Sequence, residues 1–393
     1  MVNGKTKFNL LNQFRISKWE SCPCGSGKIY SDCCKNKAFL PTKVSKKPPE
    51  VQLMEMMRKS MKQCCMHPDQ SNCKGKIKNA HALQNNKIVS LLGGSERHVY
   101  LLDPKKRPLL VPLENSKMEL IVEVSKTSVN NATTQTCFCD LHDNIAFAVI
   151  EKGAPDFDES NAAMKFVYAY KAFIFEYYKQ WMAMDIFRIS FANRPDVFKS
   201  FRMVGMYRML QLKRKEFEPI KEHFNNEILA GKHGGIKTCI IKLPEQIKFA
   251  NYAYIAPDYD LDGRRIKHTL KGIMHRVAVT VFPEKTQSYI LLSCLESEVT
   301  IYQDFFNQLE NSSIDKIKFY FSMILPLYSE NMVLSPDIWN NWDEETRIAY
   351  TFYSNIQGND VIVYSKTIGM GLRNAAKSTT FDYSKRGKID LFV

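Results

Sequence analysis

Between residues 161 and 188 large apolar side chains return every three or four positions. Phe166, Tyr170, Phe173, Tyr177 and Trp181 form one stripe, which Val167, Ile174 and Tyr178 widen. That is the 3.6-residue period of a helix, and aromatic residues at this spacing are read as core packing rather than as a base-stacking surface. A second helix is expected from Pro195, a good first-turn residue, to about Ala230, kinked or split by Pro219. Arg202, Arg208, Lys213, Arg214 and Lys215 give it a basic face. Past Gly234 and Gly235 the texture changes to short apolar runs at 238–243, 251–255, 276–282 and 288–292, the last two joined by residues 283–287. These read as strands of an antiparallel sheet. Helical patterns return at 299–309, at 314–328 and after Ser335, which can cap a helix begun by Pro336 and carrying Trp339 and Trp342. The carboxy-terminal tail is polar and reads as irregular in part.

The first third is different. Residues 35–50, with Pro41, Pro48, Pro49 and interspersed lysines, read as an extended tether. Residues 51–63 place Leu53, Met56, Met57 and Met61 near helical spacing, as packing rather than a peptide groove. The expected organisation is α+β. Residues 1–50 form a small zinc knuckle and linker, 51–152 a second Cys/His zinc module, 153–235 a helical segment, and 236–393 an α+β body of sheet and helices.

At 393 residues, 45% of them apolar and 12% aromatic, the chain can build real cores. No stretch reaches the length of a membrane span, and the amino terminus lacks the apolar run of a signal peptide, so a cytoplasmic protein is expected. Nine of eleven cysteines precede residue 140, a clustering that suits metal sites in a reducing compartment; Cys239 and Cys294 read as ordinary buried thiols. The net charge is +14, and residues 1–80 hold sixteen Lys or Arg against five Asp or Glu. A basic segment wrapped round metal sites suits a polyanionic partner such as nucleic acid or a ribonucleoprotein, where counterion release drives binding. The bland alternative is a solvated lysine-rich arm.

Chemistry concentrates at two places. The first is Cys22-Pro23-Cys24-Gly25-Ser26-Gly27-Lys28-Ile29-Tyr30-Ser31-Asp32-Cys33-Cys34. A Cys-x-Cys pair, a glycine-rich turn and a closing Cys-Cys pair bring four sulfurs to one tetrahedral ion, while Gly25 and Gly27 allow a turn whose N–H groups face the thiolates. Disulfides or idle thiols are the alternative. The string resembles the SEC-C motif, the zinc-binding tail of the SecA translocase. The match spans residues 22–34, with Ile29 replacing a common lysine. The resemblance implies zinc bound by Cys22, Cys24, Cys33 and Cys34, and a docking module rather than a catalytic one, which admits a protein partner as well as a polyanion.

The second place holds Cys64, Cys65, His67, Cys73, His81, Cys137, Cys139, His142 and Asp143. Cys65 and Cys73 bracket a Pro68-Asp69 turn, and Cys139 with His142 supplies a Cys-x-x-His pair at the expected start of a helix. Cys65, Cys73, Cys139 and His142 would complete a second zinc site. This order is similar to the treble-clef HNH nuclease plan. The similarity implies His81 as general base, Asn130 or Asn131 orienting water, and Asp143 with His81 holding Mg²⁺. The sequence departs from that plan in the seven residues between Cys65 and Cys73, in Ala80 before the histidine, and in the roughly fifty residues from His81 to the asparagines. A purely structural zinc module, with His81 beside the metal cluster, is therefore the expectation. A chance gathering of buried Cys and His is the remaining reading. Asp258-x-Asp260-x-Asp262-Gly263 opens like a calcium loop, but Thr269 stands where a bidentate Glu is needed and strands flank it, so an acidic hairpin turn is expected.

Overall fold

In the computed structural model, residues 15–37, 55, 63–103, 109–112, 118–151, 153–270, 272–356 and 359–393 are described. The expected methionine-rich helix and most of the Lys/Pro-rich tether lie outside them. The fold is α+β. The chain divides into two compact units, one of Met1–Gln63 with Tyr177–Glu222, the other of Cys64–Glu176 with His223–Val393.

In the second unit a seven-stranded sheet runs in the order Val124–Ser128, His98–Leu102, Met332–Leu334, Phe249–Ile255, Val277–Pro283, Ser288–Leu295 and Ile236–Leu243, with every neighbouring pair antiparallel. Its central strands are apolar at nearly every position because both faces are covered. Cys239, Ile241, Val277, Val279, Val281, Ile290 and Leu292 meet the helices Val299–Asn311 and Ile314–Tyr328 in one core. Tyr252, Tyr254 and Phe282, which alternate with them, meet Phe175, Phe173 and Tyr168 of the helix Ala162–Asn193. Of the expected aromatic stripe, Phe166, Tyr170 and Phe173 are core, whereas Tyr177 and Trp181 are half-buried. Ser335 caps the helix Pro336–Asn341 by accepting the Ile338 N–H at 3.3 Å. In the Asp260 turn Oδ1 accepts the N–H groups of Asp262 and Arg264 at 2.9 and 2.8 Å, and Lys316 Nζ reaches Asp262 at 2.6 Å.

Two expectations about the helices need correction. The first helix runs on to Asn193, ending where Arg194 precedes Pro195, because Phe187 and Phe191 still have a core to fill. The second helix is broken not at Pro219 but at residues 199–200, into the short Pro195–Phe198 and the long Phe201–Leu229, which continues through the proline with Phe217 and Ile220 buried on either side of it. Among the described residues no helix is long and apolar enough to cross a membrane.

The first unit is built on a cluster in which Cys22, Tyr30 and Cys34 pack with Met184, Phe187, Phe191 and Tyr207. The ring of Tyr30 lies 6.2 Å from that of Phe191, and Arg208 donates to the Glu20 carboxylate at 2.8 Å and to the Arg15 carbonyl at 2.8 Å. The sequence suggests a knuckle carried on a tether; most of that tether lies outside the described residues, and within its own unit the knuckle is packed rather than isolated. It shares a core with the helical residues of its own unit, which the intervening proline-rich stretch conceals in the linear sequence.

Candidate metal centres

The first centre forms because a short hairpin folds back on itself. Ser21 bridges Ile29, the Cys22 N–H donates to the Lys28 carbonyl at 2.8 Å, and the Gly25 N–H donates to the Cys22 carbonyl at 3.0 Å. Gly25 and Gly27 both sit at φ +76°, the left-handed region where a side chain is strained. A 3₁₀ turn, Tyr30–Asp32, then delivers Cys33 and Cys34. The sulfurs of Cys24 and Cys33 are 3.6 Å apart and those of Cys33 and Cys34 3.7 Å. A tetrahedron of thiolates about 2.3 Å from a central ion has edges of about 3.8 Å, so the spacing suits one ion and is far too long for disulfides, whose sulfurs sit about 2.05 Å apart. All four sulfurs lie within 4.8 Å of one another and can hold a metal ion. Burial pushes the thiols of Cys22 and Cys34 up. At Cys24 burial acts the same way, but hydrogen bonds from Ser26 and the neighbouring cysteines outweigh it and draw the thiol down to about 6. Ser26 Oγ also lies 3.3 Å from the Cys33 sulfur.

The second centre joins two distant stretches. The Met66 N–H donates to the Cys137 carbonyl at 2.8 Å, and the Asp140 N–H to the Lys76 carbonyl at 3.0 Å. These bonds lay residues 64–76 along the strand Thr134–Cys139 and the start of the helix Asp140–Ala146. Gly75, at φ +78°, passes so close that an added Cβ would lie 2.7 Å from that of Asp140. His142 Nδ1 stands 3.4, 3.6 and 3.2 Å from the sulfurs of Cys65, Cys73 and Cys139, close to the edge of about 3.6 Å expected for mixed sulfur and imidazole ligation. These four groups too can hold a metal ion. The other three donors are buried while Cys73 is exposed, so the site is closed by protein on all sides but one. His67 stacks flat on His142, with ring centroids 3.9 Å apart and an interplanar angle of 9°, and its Nδ1 accepts the Asp69 N–H at 3.2 Å. Cys-x-His at 65–67 was the available signal for that contact, since it places an imidazole two residues beyond a ligand.

His81 is not beside this cluster, contrary to expectation. It ends the strand Ile77–His81, whose pairing sets Ile77 opposite Cys139 and His81 opposite Thr134. Four residues of strand, about 13 Å, separate it from the cluster end of the ladder. Its Nδ1 lies 3.0 Å from the Ala132 carbonyl. Asp143 follows His142 in the helix; burial raises its carboxyl above the usual range, against the pull of Lys171. Among the described residues, His81 and Asp143 join no group of metal ligands. Asn130 accepts from Asn85 and Arg97 at 3.3 and 3.4 Å, and the Asn131 carbonyl accepts the Thr134 hydroxyl at 3.0 Å. Cys239 and Cys294 are buried in the sheet core.

Sorting the charges by unit reveals a segregation that linear reading shows only in part. The first unit carries twenty-three Lys or Arg against nine Asp or Glu, and the second thirty-two of each. The entire net charge of +14 thus belongs to the unit that contains the knuckle. Compared with protein-family models, curated proteins and solved structures, the chain matches none.

Proposed function

We propose that this chain is a zinc protein whose basic unit docks on nucleic acid or a ribonucleoprotein. The observation that carries the reading is the confinement of the whole net charge to the unit built round Cys22, Cys24, Cys33 and Cys34. A surplus of fourteen cations on about a hundred residues favours approach to a polyanion, whereas the second unit offers no net attraction. Four thiolates in one set, and three thiolates with an imidazole in the other, at tetrahedral spacing, favour zinc among the common ions. Such closed sets stabilise folds rather than perform catalysis, because an ion at a catalytic site needs an open position. The resemblance of residues 22–34 to the SEC-C docking motif supports the same role. Elemental analysis of protein purified without chelators should give two zinc ions per chain. Cys22→Ser with Cys24→Ser should leave one and loosen the aromatic cluster round Phe187; metal content near zero in the wild type would defeat the zinc reading. Binding to RNA and DNA that is lost with salt tests the docking.

A second reading, a metal-dependent nuclease of HNH type, is favoured by one contact. A donor bond from His81 Nδ1 to the Ala132 carbonyl would fix the ring so that Nε2 is the basic nitrogen, as a general base requires. In that reading Mg²⁺ would be held by His81 and Asp143. Assays on single- and double-stranded DNA and RNA with Mg²⁺ or Mn²⁺ decide it. The expected result is no cleavage above background; cleavage abolished by both His81→Ala and Asp143→Asn would put the nuclease first.

A further inference from the structure

Trp19 is the most exposed of the large apolar residues of the molecule's described part, at 69%. Its position is nonetheless fixed. The Ser31 N–H donates to the carbonyl of Lys18 at 3.0 Å and the Tyr30 N–H to the carbonyl of Glu20 at 2.8 Å, so the residues on both sides of Trp19 are tied to the metal knuckle. The Glu20 carboxylate accepts the Ser17 N–H at 2.7 Å and Arg208 at 2.8 Å, closing a turn at whose third position the tryptophan stands. Turns of this kind are favoured by Gly, Asn, Asp and Ser, and an indole there buries little. Tyr30, the knuckle's other aromatic residue, shows the contrast, being buried against Phe191.

One cation lies over the ring. Lys18 Nζ lies 4.6 Å from its centroid, and Lys28 and Lys35 are exposed on the same knuckle. Among the described residues no carboxylate pairs with Lys18, Lys28 or Lys35. A solvent-facing indole on a tied backbone, with Lys18 beside it, offers a base both a stacking face and a nearby counter-charge for its phosphate, the combination by which proteins hold single strands without reading their sequence. A duplex, whose bases are already stacked on each other, can use only the lysines.

We propose that Trp19 is a stacking platform that gives the basic unit a preference for single-stranded over duplex nucleic acid. The proposal rests on the docking reading above and adds the form of nucleic acid to it. The test is fluorescence anisotropy with the zinc-loaded full chain and three labelled probes: a twelve-residue oligothymidylate, the corresponding oligouridylate, and a hairpin duplex. Zinc content equal to wild type verifies that each variant's knuckle is intact. Trp19→Ala should weaken both single strands about 5- to 100-fold and leave the duplex unchanged, while Trp19→Phe, which keeps a ring, should recover most of the loss. The oligothymidylate and oligouridylate arms separate a DNA from an RNA strand as the preferred source. If Trp19→Ala binds single strands as the wild type does, with salt still releasing them, the platform is overturned and the docking reading stands. If no probe binds at low salt, both fall, and a protein partner becomes the occupant to seek.

Discussion

Stripping the ion from Cys65, Cys73, Cys139 and His142, or replacing Cys139 with alanine, should cost the second unit most of its stability. The reason lies in what the site fastens. Ile77–His81 and Thr134–Cys139 form a two-stranded ladder with a register shift between Lys78 and Ala80, and such ribbons are marginal on their own. The segment between them supplies two strands of the seven-stranded sheet, His98–Leu102 and Val124–Ser128. The donor cluster pins both ends of that excursion, so its loss frees a closure of seventy-odd residues together with the edge of the sheet. Structural zinc contributes on the order of 10 kcal/mol in small zinc modules, comparable with the whole stability of a domain, about 5–15 kcal/mol. Thermal unfolding followed by circular dichroism should therefore fall by on the order of 20 °C in Cys139→Ala or after dialysis against a strong chelator. Readdition of zinc should restore the wild type but not the variant. A transition that stays within about 2 °C in the metal-free protein would mean that packing alone holds the module.

Much of this was legible in the sequence where local physics decides. The donor sets were readable because tetrahedral ligation demands a few residue types at short spacings, and the four strands from 236 to 295 announced themselves by β-branched runs between turns. What escaped depends on contacts far apart in the chain. The strands His98–Leu102 and Val124–Ser128 lie in stretches with no clean alternation; they pair with each other, and the strand that joins them to the sheet, Met332–Leu334, comes more than two hundred residues later. The docking of Tyr30 against Phe191 and Tyr207 crosses a stretch whose composition argues for separation. His81 was drawn toward the metal by its neighbours in sequence, whereas strand register carried it to the far end of the ladder. The charge pattern was half visible. Residues 1–80 show an excess of eleven, but only the return of Tyr177–Glu222 to the same unit concentrates all fourteen there.

That concentration sets the second large effect. Affinity for nucleic acid should fall steeply with salt, because each phosphate neutralised by Lys or Arg releases condensed counterions. If the basic unit makes about six phosphate contacts, raising KCl from 50 to 200 mM should weaken duplex binding about a thousandfold, with a somewhat shallower slope for single strands. The exposed Arg202 and Lys215 belong to this unit, and Arg202→Glu or Lys215→Glu should each lower the affinity and reduce the slope by about one contact. A reversal at Lys267 or Lys366, in the neutral unit, should change neither. Equilibrium titrations at four or five salt concentrations provide the measurement. A protein partner with an apolar interface core would instead give nearly salt-independent binding, and a flat plot of log affinity against log salt would remove nucleic acid as the partner whatever the metal content proved to be.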